Sequence, residues 1–122
     1  METFMKISNE RDGQELGSRI RVAGSFWQRF RGLMLADEPA AGEGLLLSPC
    51  NSIHMMFMKF AIDAVFLDAS NRIVALYEGL QPWVGVSGWH RDVSSVLELK
   101  SGTIQKTGIR VSDILRMERI EC

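Results

Sequence analysis

Cys50, His54 and Met58 follow one another at intervals of four in the stretch CNSIHMMFMKFAIDAVFLD, residues 50–68. Thiolate, imidazole and thioether are soft donors that together suit a cuprous ion. In a helix, residues four apart share a face about 6 Å apart along the axis. In a strand they also share a face, but at about 13 Å. One ion could therefore be shared only if the segment is helical or looped. Zinc motifs bring paired ligands from two places in the chain, and here there is no second Cys or His pair. The plainer reading is that Cys50 and the methionines fill a core. No metal and no other cofactor is expected.

Cys50, His54 and Asp63 also have the composition of a nucleophile, a base and an orienting group. A thiol is nucleophilic only where a positive neighbour or a helix N-terminus lowers its pKa, and spacing alone does not supply either. An enzyme with Cys50 or Asp63 as its reactive group is thus an alternative to a binding protein. Asp63 heads an apolar strand, on the same face as Val65 and Leu67. A carboxylate there must be hydrogen-bonded or paired, because its burial otherwise costs several kcal/mol. It either ties down the backbone amides of a neighbouring turn, the favoured reading, or faces a cavity and a polar ligand. Trp83, Trp89 and His90 lie in a loop with Gly79, Gly85 and Gly88. Aromatics on such a loop form a binding surface or fold back over the core. Glu98 stands between Leu97 and Leu99, so alternation places it opposite them, in solvent.

These residues must be carried by short elements. Residues 2–8 and Ser18–Val22 alternate as strands do, with a polar turn at Asn9–Gly17. Ser25 and Gln28 have the spacing of a capping box, and Phe26, Phe30, Leu33 and Met34 follow at helical spacing. Pro39, Gly42 and Gly44 end that unit. Gly44–Leu47 is a short buried strand. Ala61–Leu67 is apolar on both faces and reads as a strand covered on both sides. A turn at Asp68–Asn71 leads to Arg72–Tyr77 as a hairpin. Val93–Leu99 and Ile114–Ile120 are further strands. Thr103–Thr107 is one helical turn closed by Gly108. The expected fold is α+β and mainly β: a curved antiparallel sheet or small barrel-like domain, with one main helix near residues 25–35.

The chain has 122 residues, enough for one domain with one core. Fifteen acidic residues against fourteen basic ones, scattered through both halves, leave no basic stripe for a row of phosphates. Nucleic acid is therefore not expected as a partner. The N-terminus lacks a signal-peptide pattern, and no apolar run approaches a membrane span. The expected location is cytoplasmic, with no membrane contact. Cys50 and Cys122 do not make a disulfide framework, and both thiols are expected to be free.

The segments RFRGLM at 29–34, GLLL at 44–47, CNSIHMMFMKFAIDAVFLD at 50–68 and VLELKSGTIQKTGIRVSD at 96–113 resemble the DUF192 family, also called UPF0127. The resemblance covers about residues 18–120, so residues 1–122 read as one DUF192-like domain. It implies a compact, barrel-like β-rich fold of bacterial and archaeal proteins without an assigned activity. Its motif falls on Arg31, Gly32, Met34, Phe57, Met58, Asp63, Leu97, Glu98 and Gly102. The family often has proline where this chain has Ala61, and Pro-Ala where it has Lys100-Ser101. Because Glu98 matches the family's glutamate, the resemblance suggests a structural polar network in which Glu98 or Asp63 pairs with Arg31. The leading expectation is a small binding domain for an unknown small molecule or protein. Its candidate ligand residues are Cys50, His54, Met58, Asp63, Trp83 and Trp89. An enzyme or a soft-metal binder are the alternatives.

Overall fold

The structure, a computed structural model, describes residues 3–25, 37–52, 58–83 and 90–120. Along the chain run β1 (Phe4–Asn9), β2 (Glu15–Ala23), β3 (Glu43–Leu47), β4 (Ile62–Leu67), β5 (Ile73–Leu80), β6 (Ser95–Lys100), α1 (Thr103–Thr107) and β7 (Leu115–Ile120). They form one seven-stranded sheet in the order β5-β4-β6-β3-β2-β1-β7. Every pairing is antiparallel except β2 with β3, which is parallel. The main helix expected near residues 25–35 lies outside the described residues, Ser25 apart. The single turn expected at Thr103–Thr107 is present as α1, closed by Gly108 in the left-handed conformation.

The sheet is not closed into a barrel, which corrects the barrel-like expectation. Among the described residues its edge strands, β5 and β7, form no ladder with each other. The chain joins them at one isolated bridge just before each strand, between Arg72 and Ile114, flanked by backbone hydrogen bonds such as those from the Ile73 amide to Asp113 and from the Leu115 amide to Asn71. Beyond that corner β5 pairs with β4 and β7 with β1. The edge residues explain the opening. Arg116, Glu118 and Arg119 of β7 and Glu78 of β5 are exposed charges, the kind that keep a strand edge from accepting another partner.

Alternation divides the apolar side chains between two faces. The first face carries Leu45 and Leu47 of β3, Ile62, Ala64 and Phe66 of β4, and Val96 of β6, with Met58 and Phe60 packed on them. The second carries Leu46, Val65, Leu67, Leu97 and Leu99, with Ile7, Ile20, Leu115 and Ile104 of α1. All six residues of β4 are buried, as a strand apolar on both sides requires. β3 and β6 approach closely at Gly44. A Cβ there would stand 2.5 Å from the Glu98 carbonyl oxygen and 3.0 Å from the Leu99 side chain. Gly44→Ala is therefore expected to push the two strands apart and cost about 2 kcal/mol, read as a lower urea midpoint.

The corner between β5 and β7 is held by polar groups. Buried Asn9 donates through Nδ2 to Asp113 at 2.9 Å, and Arg11 Nε donates to the same carboxylate at 2.9 Å. The Arg110 amide donates to it as well, at 2.9 Å. The Arg11 guanidinium, with help from the Arg110 and Asn9 donors, holds the Asp113 carboxyl down at about 2. A carboxyl lowered in the fold contributes stability that is present above its ordinary value of 3.8 and is lost as pH falls towards 2. Asp113→Ala should remove that acid-side loss. It should also cost about 2–3 kcal/mol at neutral pH by stranding the Asn9 amide; pH-dependent thermal melts check both.

Candidate functional site

The carboxylate that heads β4 is fully engaged. Asp63 is 1% exposed. Its Oδ1 accepts the Gly79 amide at 2.9 Å, and its Oδ2 accepts the amides of Gly102 at 3.1 Å and Ile104 at 2.9 Å. The N-cap of α1 is Gly102, which has no side chain to cap the helix. Asp63, about forty residues earlier, supplies the missing acceptor for the Ile104 amide. It also fixes two glycines at positive φ, Gly79 at 59° and Gly102 at 96°. This is the tie to neighbouring backbone that an aspartate at the head of an apolar strand calls for.

Glu98 has the opposite situation. It is 4% exposed, and its Oε1 has no hydrogen-bond partner among the described residues. Burial pushes its carboxyl up to about 7. Alternation does place it opposite Leu97 and Leu99, but that side is the first face and not solvent. The expectation of a solvated Glu98 is corrected for that reason. The signal was present in β4: a strand covered on both sides needs neighbours covered on both sides, and β6 is its neighbour.

The register sets Glu98 in a row across the first face. Arg21 of β2 is beside Leu45, Leu45 beside Glu98, Glu98 beside Ala64, and Ala64 beside Tyr77. Each step is about 4.8 Å. At the end of the row the Tyr77 hydroxyl and His90 Nε2 share a hydrogen bond of 2.7 Å. Phe66 packs against both rings, at centroid distances of 5.2 and 4.9 Å. The loop containing Cys50 lies alongside. The Cys50 amide donates to the Ser94 carbonyl at 2.9 Å, and the His90 amide to the Asn51 carbonyl at 3.4 Å. Cys50 packs against the first-face cluster, and its thiol donates to the Ser52 carbonyl at 3.2 Å. A pocket of about 390 Å³ opens there, lined by Pro49, Cys50, Asn51, Val93 and Ser94.

The first face thus brings together Cys50, Met58, Glu98, Tyr77 and His90. Asp63 pairs with Leu99 and points to the second face, so Asp63 and Glu98 do not join in one network. Arg31, the third member expected of that network, lies outside the described residues, as do His54 and Trp89. Trp83 is 57% exposed and has a positive φ of 68°, so its ring does not close over the core. Tyr77 had no sequence signal beyond an apolar-strand position, and His90 only its place in an aromatic loop. Their pairing depends on the hairpin register. Among the described residues no group of three His, Cys, Asp or Glu side chains is placed to hold a metal ion. No described helix is long and apolar enough to cross a membrane.

Solved structures similar to this one include a candidate transcription regulator from Sinorhizobium meliloti 1021. It is 22% identical, with a TM-score of 0.80 over 96% of this chain and 94% of that one. A protein of unknown function from Novosphingobium aromaticivorans is 18% identical, with a TM-score of 0.81 over 94% of this chain and 84% of that one. Both likenesses show the fold. Among sequences, a UPF0127 protein of Pyrococcus furiosus is 30% identical over 92% of this chain and 97% of its own length. One from Thermococcus sibiricus is 38% identical over 63% of this chain and 52% of its own length. The chain therefore spans about half the length of the Thermococcus relatives it matches. Residues 7–117 match the DUF192 family model, described as "Uncharacterized ACR, COG1430". With nine-tenths of its length inside that model, the chain belongs to the DUF192/UPF0127 family of uncharacterised prokaryotic proteins.

Proposed function

We propose that this chain is a small binding domain that takes a small-molecule ligand on the first face of its sheet, at Glu98. Cys50, Met58, Tyr77 and His90 would line the approach. Trp83 would contribute from the adjoining loop, and His54 and Trp89, candidates from the sequence, lie outside the described residues. The observation that carries this reading is the orphan Oε1 of Glu98. Removing a carboxylate from water without a partner costs several kcal/mol, and a ligand that donates to it recovers much of that cost. Asp63 is left out of the site because three backbone amides already occupy it.

The description of the Sinorhizobium protein raises nucleic acid as a partner. The near balance of fifteen acidic and fourteen basic residues favours a small ligand instead. A thermal-shift screen of a metabolite library, run on the parent and on Glu98→Gln, tests the proposal. Ligands of the native state raise the midpoint. The expected result is at least one compound that stabilises the parent and stabilises the variant much less. A library in which nothing shifts the parent, or in which every shift survives in the variant, overturns it.

A further inference from the structure

We propose that the cavity between β2 and α1 takes a small hydroxylated molecule bearing one oxyanion, a phosphate ester or a carboxylate. The cavity is about 430 Å³ and lies between the start of β2, the turn at Ala41 and Gly42, and the segment from Lys100 through α1. That volume falls in the lower part of the range of small-molecule sites. Glu98 does not line it, so this inference stands apart from the binding reading of the first face.

Two glycines keep the rim of the cavity bare. Gly42 and Gly102 have positive φ, 86° and 96°. A Cβ on Gly42 would stand 3.8 Å from Ser18 Oγ, and one on Gly102 would meet nothing within 4 Å. Thr103 and Lys106, three apart, share one face of α1, and both line the cavity. The amides of Gly102 and Ile104 are already held by Asp63, so side chains must hold the ligand.

The side chains left open are donors. Glu15 is the one acid in the lining, and Lys6 Nζ stands 3.9 Å from it. Lys100 Nζ is held by Glu38 at 3.0 Å. The Thr103 and Thr107 hydroxyls donate to the carbonyls of Lys100 and Thr103, at 2.6 and 2.7 Å. Lys106 Nζ and the hydroxyls of Ser18 and Ser101 have no partner among the described residues. An ammonium beside two hydroxyls offers an oxyanion a charge-assisted bond and further donors. Leu16 is the one large apolar side chain in the lining. The body of the ligand must therefore be polar, and hydroxyl groups suit the serines and Gln14.

Amide NMR titration of the full chain with glycerol 3-phosphate, glycerate and neutral glycerol tests this. The ester, the acid or both should shift the Ser18, Gly42, Ser101 and Lys106 amides to saturation, about tenfold more tightly than glycerol. Whichever binds names the oxyanion. Lys106 is exposed, so Lys106→Gln should fold, and it should weaken that binding about fivefold. Lys59 is exposed and does not line the cavity, so Lys59→Gln should leave binding unchanged. The comparison among probes on the parent needs no variant. Absence of a saturable shift at those amides with either anion overturns the proposal. So does glycerol binding as tightly as the anions, or a Lys106→Gln protein that binds no worse than Lys59→Gln.

Discussion

Asp63→Ala should cost about 4 kcal/mol of stability and lower the thermal midpoint by roughly 15 °C. Three amides lose their acceptor at once, and the Ile104 amide is buried with its hydrogen bond. The loss should spread to the elements these amides fix: the far end of β5, the 101–102 turn and the first turn of α1. Asp63→Asn should fall between the two, because its amide nitrogen must face one of the donors. Thermal melts of the three proteins, with hydrogen exchange of the Gly79, Gly102 and Ile104 amides, check this. A loss under 1 kcal/mol, with those amides still protected, would mean that Asp63 does not tie the corner.

The second large effect is one of pH. The Glu98 carboxyl, ordinarily near 4.5, is pushed up to about 7 by burial. Its folded pKa lies above its unfolded one, so between these values the folded protein holds the proton and the unfolded chain has lost it. Stability from this group is complete below pH 4.5 and declines as pH rises to 7. Above that it stays lower by about 3 kcal/mol. Glu98→Gln should flatten that slope, and Glu98→Met should stabilise the protein at pH 8. The sign is opposite to that of Asp113, whose contribution disappears only on the acid side. Urea unfolding of the parent and Glu98→Gln between pH 4 and 8 separates the two. A parent whose stability rises across that window would contradict the burial of an uncompensated Glu98.

Much of the local structure was legible in the sequence because period-two alternation is a direct consequence of strand geometry. The six buried residues of β4 follow from an apolar pattern on both faces, and α1 with its closing Gly108 from a short run ended by a left-handed glycine. Strand order was not legible. β3 and β4 are successive in the chain, yet β6 lies between them. The long segment after Leu47 lets β4 pass over a neighbour, and nothing in either strand's alternation records that. Openness of the sheet was likewise out of reach, since it depends on whether β5 and β7 pair beyond Arg72 and Ile114. The site was split by the same limits. Asp63 announced itself as a charge in an apolar strand. Glu98 looked like a solvent-facing residue until the cover on β4 was carried across to β6. The Tyr77–His90 contact joins a strand to a loop thirteen residues away and has no period to reveal it.

The most direct test of the first face is a carbon-13 NMR titration of the Glu98 side-chain carboxyl in the ligand-free protein, assigned against Glu98→Gln. A midpoint near 7 is expected. A midpoint at or below the ordinary glutamate value would show a carboxylate already solvated or paired, and would contradict both the orphan oxygen and the binding role drawn from it.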